Sequence, residues 1–81
     1  MPRLFLHMRH GITFVPDPVG TYYNYLEDAR REALWAAREL MRLRVRQGQP
    51  ANDSAFEITN EAGRVLLVCP FHEALDVMGE G

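Results

Sequence analysis

The stretch YLEDARREALWAARELMRLRVR, Tyr25 to Arg46, decides the fold class. It holds no Gly or Pro, and Ala, Leu, Arg and Glu dominate it, the residues that lose least on entering a helix. Leu26, Ala29, Ala33, Ala36, Leu40 and Leu43 recur at spacings of three and four, which predicts one apolar stripe along an amphipathic helix. Asn24 followed by Glu27 reads as a capping box, and Glu27 and Asp28 suit the positive end of the helix dipole. Arg42, Arg44 and Arg46 crowd the last turns, and Gly48 with Pro50 closes the element.

On either side of this helix the period falls to two. Leu4, Leu6 and Met8 alternate with Phe5, His7 and Arg9, which predicts a strand over Pro2–Arg9. Gly11 supplies a turn, because glycine reaches positive φ without steric cost. Ile12–Val15 is β-branched and aromatic and reads as a second strand, stopped by Pro16 and Pro18. After the polar loop Gln47–Ser54, Phe56–Thr59 and Arg64–Cys69 flank the reversal Asn60–Gly63 and form a hairpin. Val65, Leu67 and Cys69 share one face of its second strand, Leu66 and Val68 the other. Pro70 then opens a helical turn through Phe71, Ala74 and Leu75. The order ββαββ predicts an α+β fold: a four-stranded, mainly antiparallel sheet, one long helix packed on one face, and a short C-terminal helical turn. One domain is expected over residues 1–78, with 79–81 as a frayed terminus.

The composition narrows the class. The 81 residues are 47% hydrophobic and 25% charged, a globular balance. A formal charge of -2 argues against a general nucleic-acid binder. One cysteine permits no internal disulfide, and no apolar run approaches the ~20 residues that span a bilayer, so the expectation is a cytoplasmic protein that does not enter membranes.

A helix of ~22 residues is ~33 Å long, whereas strands of six or seven residues span ~20–23 Å. Phe5, Leu66 and Val68, with Phe14 as a further candidate, also place apolar surface on the sheet face away from the helix. Both features predict a homodimer, since small domains often cover surplus surface by pairing. The alternative covers that face with the Gln47–Ala55 loop and the C-terminal turn.

Trp35 lies on the back of the helix among Arg31, Arg38 and Arg42, and three readings stand open. It can anchor a protein interface, where Trp and Arg are enriched. It can stack on a base while the guanidinium groups meet phosphates. It can simply lie beneath loop residues or arginine stems, with Glu27–Arg31 as a helix pair. His7, His10, Cys69 and His72 form two pairs of metal-ligand spacing, the candidates for a small metal-binding module. Cys69 on an apolar strand face argues for a core residue instead. No phosphate loop, nucleophile elbow or zinc-protease motif is present, so no enzyme and no cofactor are expected.

Met1-Pro2-Arg3-Leu4-Phe5-Leu6-His7-Met8-Arg9-His10-Gly11, together with Asp17, Gly20, Leu26–Ala33, Phe56-Glu57-Ile58 and Gly63–Leu66, resembles bacterial domain-of-unknown-function family 6894. The resemblance implies a small stand-alone bacterial protein of no established activity, with His7, Arg9 and Arg30 as the polar residues of its motif. His10 stands where that pattern usually has an acid, and Tyr25 where it often has Asp. Strands preceding an Ala-Arg-x-Glu-Ala helix are also similar to antitoxin domains of HicB type, an analogy of order alone. The expected function is therefore a non-enzymatic, self-associating protein-interaction domain. The alternative is an antitoxin-like or other nucleic-acid-associated regulator.

Overall fold

The computed structural model describes residues 2–50 and 53–78, the side chains of 75–78 excepted. The described residues form seven elements in order: β1 (Arg3–His10), β2 (Thr13–Val15), β3 (Thr21–Tyr22), α1 (Leu26–Arg46), β4 (Ser54–Thr59), β5 (Val65–Pro70) and α2 (Phe71–Met78). The expected α+β class is present, with five strands rather than four and an eight-residue helix in place of the C-terminal turn. The expected fraying at 79–81 lies outside the described residues.

All strand pairings are antiparallel, in the order β2-β1-β4-β5, with β3 also on β1. The added strand has a simple origin. Met8, Arg9 and His10 pair with Val15, Phe14 and Thr13, while Arg3 and Leu4 pair with Tyr22 and Thr21. β2 and β3 are thus two ends of one edge strand, interrupted by Pro16–Gly20. Two prolines cannot donate to a ladder, so the chain leaves the edge between them. The Tyr23 N–H to the Pro2 carbonyl, at 3.1 Å, prolongs the second end.

The registers sort the sheet into two faces. Met8–Phe56–Cys69 and Leu6–Ile58–Leu67 form cross-strand rows on the inner face. Against them pack Ala29, Ala33, Leu34, Ala37 and Met41 of α1, and Phe71 and Ala74 of α2. Ile58, Ala29, Ala33 and Phe71 are wholly buried. Both helices lie on this one face, so the molecule is a two-layer slab of 37 × 31 × 16 Å.

Three local expectations are corrected. The helix N-cap is Tyr25, with no side-chain cap bond; the Glu27 carboxylate pairs with Arg30 at 3.3 Å instead of reaching back to Asn24. The expected Glu27–Arg31 pair is likewise replaced, by Arg31 with Asp28. The buried stripe is rotated by roughly 60° from the expected one, on a wheel of 100° per residue. Leu26 and Leu43 are exposed, whereas Leu34, Ala37 and Met41 are buried. α2 supplies the reason: it packs beside α1 and gives the Leu34–Met41 flank a second wall.

The hairpin departs from strict alternation as well. Ile58 pairs with Leu67 but Thr59 with Val65, so Leu66 is the extra residue of a bulge. Val65 therefore leaves the inner face predicted for it and stands exposed opposite Thr59.

Candidate functional site

Three clusters gather most of the residues singled out from the sequence, and the first surrounds His7. On the outer face, the bypassing loop Pro16–Gly20 folds back over β1. The Asp17 N–H donates to His7 Nδ1 at 2.9 Å. That fixes the ring's proton on Nε2, which donates to Thr59 Oγ1 at 3.1 Å. Asp17 also repairs the ladder that the prolines interrupt. Its Oδ2 accepts the Leu6 N–H at 3.2 Å, and its Oδ1 accepts the N–H groups of Val19 and Gly20, both at 3.1 Å. Burial pushes the Asp17 carboxyl up, but the amide donors of Gly20, Val19 and Leu6 outweigh it and hold the group below its ordinary 3.8.

Gly20 completes the fold-back at φ +75°, where an added Cβ would sit 2.7 Å from the Phe5 ring. Phe5 stacks on His7 with centroids 6.0 Å apart, and Phe14 tilts against the other side of the imidazole. Phe5, His7, Asp17, Thr59, Asn60, Glu61 and Gly63 line a shallow hollow of about 180 Å³. Both ring nitrogens of His7 are committed to the chain itself. Arg9 bonds Glu57 at 2.7 Å and covers Phe14, while Arg30 reaches Glu27. The motif residues His7, Arg9 and Arg30 are therefore each tied to internal partners.

The second cluster joins the end of α1 to the sheet. Arg44 donates to Ser54 Oγ at 2.8 Å and lies over the Phe71 ring. His10 Nδ1 stands 2.6 Å from Ser54 Oγ and 3.3 Å from Asp53 Oδ1. Serine, histidine and aspartate meet here, yet both partners face the same nitrogen. A proton relay needs them on opposite nitrogens, so the cluster does not have the geometry of a nucleophilic triad.

The four metal candidates are not brought together. His7 points outward from the sheet, Cys69 is buried on its inner face, His10 sits at a strand end, and His72 is exposed on α2. Among the described residues no group of three or more potential metal ligands occurs. Burial, and secondarily Glu73, pushes the Cys69 thiol up, which keeps it protonated.

The third cluster is the Trp35 face. Trp35 is 59% exposed. It lines an open hollow of about 460 Å³ with Thr21, Tyr23, Asp28, Arg31 and Glu32. Tyr23 donates its hydroxyl to Glu32, and burial together with that carboxylate pushes the phenol up to about 12. Arg31 approaches Asp28 at 3.9 Å and Arg42 approaches Glu39 at 3.7 Å, whereas Arg38 is exposed. Of the four residues grouped on this face by sequence, Trp35 and Arg31 share the hollow and Arg42 is drawn to an acid outside it. Tyr23, Asp28 and Glu32 were missed. The i, i+4 and i, i+3 spacings of Asp28, Glu32 and Trp35 were a readable signal for two of them; Tyr23 directly follows β3, a strand the sequence did not announce.

Among the described residues no helix is long and apolar enough to cross a membrane. The model of a family described as Domain of unknown function (DUF6894) matches residues 3–72. Neither a curated protein nor a solved structure matches the chain.

Proposed function

The chain belongs to the DUF6894 family, whose description carries no activity, and we propose that it acts as a non-enzymatic interaction domain that pairs with a second copy of itself. The observation carrying this reading is the uncovered half of the outer sheet face. The Pro16–Gly20 loop shelters Phe5 and His7, but among the described residues nothing shelters β5, where Val65 is 48% exposed, Leu66 39% and Val68 49%. A slab face of 37 × 31 Å is large enough for the roughly 800 Å² that each partner gives to a standard interface. The bulge at Leu66 and Pro70 at the strand end blunt the β5 edge against open-ended strand addition. The pairing therefore uses the face rather than the edge.

A bacterial, cytoplasmic setting belongs to the same proposal, and a buried, protonated Cys69 thiol suits a reducing compartment. The nucleic-acid alternative draws less support, because Arg31 and Arg42 each have an acid beside them. Sedimentation velocity from low to high micromolar concentration tests the reading. The wild type should shift from monomer to dimer, and Val68→Glu should stay monomeric. A wild type that stays monomeric throughout, or a Val68→Glu protein that still dimerises, overturns it.

A further inference from the structure

Three of the four phenylalanines lie under guanidinium groups: Phe5 under Arg3, Phe14 under Arg9 and Phe71 under Arg44, at 5.2, 4.8 and 5.2 Å from the ring centroids. Indole is the best aromatic partner for a cation. Yet Trp35 has no such cover among the described residues, although Arg31 and Arg38 lie one turn away on the same helix. Arg31 leans instead toward Asp28. The open hollow beside the indole has two carboxylates on its wall, Asp28 and Glu32, against the single cation Arg31. The Tyr23 hydroxyl holds Glu32 in place through one oxygen and leaves the other free to accept.

We propose that this hollow receives the basic side chain, arginine or lysine, of a polypeptide partner. Trp35 offers its π face to the cation, Glu32 and Asp28 meet the charge, and Tyr23 positions the Glu32 carboxylate. Charge complementarity selects this occupant: a phosphate or an acidic peptide entering here would meet two carboxylates against the one arginine, itself drawn to Asp28, and a purely apolar group would strip water from them without compensation. The volume of about 460 Å³ is that of an ordinary ligand site and exceeds the needs of one side chain. This surface is separate from the β5 face, so the proposal stands whether or not the chain dimerises.

Trp35 is the sole tryptophan of the chain, so its emission reports the site directly. The full chain is titrated with a short peptide of Gly and Arg, with the same peptide carrying Glu in place of Arg, and with a single-stranded oligonucleotide. The Arg peptide should change Trp35 emission saturably, and added salt should weaken the binding. Glu32→Gln, whose amide oxygen still accepts from Tyr23, should weaken it roughly tenfold. Arg38→Gln should leave it unchanged, and the monomeric Val68→Glu chain should bind as the wild type does. No saturable response to the Arg peptide overturns the proposal. So does an equal or stronger response to the Glu peptide or the oligonucleotide, or Glu32→Gln binding with wild-type affinity.

Discussion

Asp17 and His7 hold each other through backbone and ring: the Asp17 amide donates to His7 Nδ1 at 2.9 Å, while the Asp17 carboxylate accepts the amide of Leu6, the residue before His7. One residue thus restores both the donor and the acceptor lost where Pro16–Gly20 departs from the sheet edge. An unmet buried amide costs about as much as a lost hydrogen bond, so the loop can leave the ladder only with such a substitute.

Asp17→Asn should destabilise the chain by about 1–2 kcal/mol, read as a lower urea midpoint. Asparagine has one acceptor oxygen where two are in use; the Val19 and Gly20 amides can turn to water, but the Leu6 amide is shielded by its neighbours. The difference should depend on pH. Asp17 binds its proton more weakly in the folded chain than in the unfolded one. Its contribution is therefore full above the ordinary value of 3.8, and is lost as pH falls through the lower folded value. Unfolding curves at neutral pH and at successively lower pH below 3.8 should converge for the two proteins. Parallel curves over that range would refute the assignment.

Gly20→Ala and Gly11→Ala separate backbone strain from crowding. Both positions have positive φ, but a Cβ at Gly20 meets the Phe5 ring while one at Gly11 meets nothing within 4 Å. Left-handed backbone alone costs alanine about 1–2 kcal/mol. Overpacking at Gly20 adds about 1–3 kcal/mol. Thermal unfolding should place Gly20→Ala well below Gly11→Ala. Equal melting temperatures would mean that the loop does not lie on Phe5.

Cys69 should resist a thiol-specific disulfide reagent in the native protein at neutral pH and react fully in urea. Its side chain is 1% exposed, and burial keeps the thiol protonated, so neither access nor thiolate is available. Immediate stoichiometric labelling of the folded chain would contradict that placement.

The sequence by itself determined the long helix, read over Tyr25–Arg46 and found over Leu26–Arg46, and the two hairpins, though not the short strand β3. Those features rest on periodicity, proline and glycine, which act within a few residues of one another. Even the placement of Leu6, Met8, Leu67 and Cys69 on one face follows from the pleat. Tertiary structure decided the remainder, because it depends on partners far apart in the chain. The buried flank of α1 rotated toward Leu34 and Met41 when α2 came to lie beside it. Val65 lost its inner place to a bulge whose register is set by Thr59. The stretch Pro16–Gly20 reads locally as a strand terminator; only its return onto Phe5 and His7 shows that it bridges two halves of one edge strand. The local pattern also put Trp35 among arginines. The arrival of Tyr23, the residue after β3, placed its hydroxyl on Glu32 and made Glu32 and Asp28 the carboxylate wall beside the indole, a change in charge that the helix wheel does not carry.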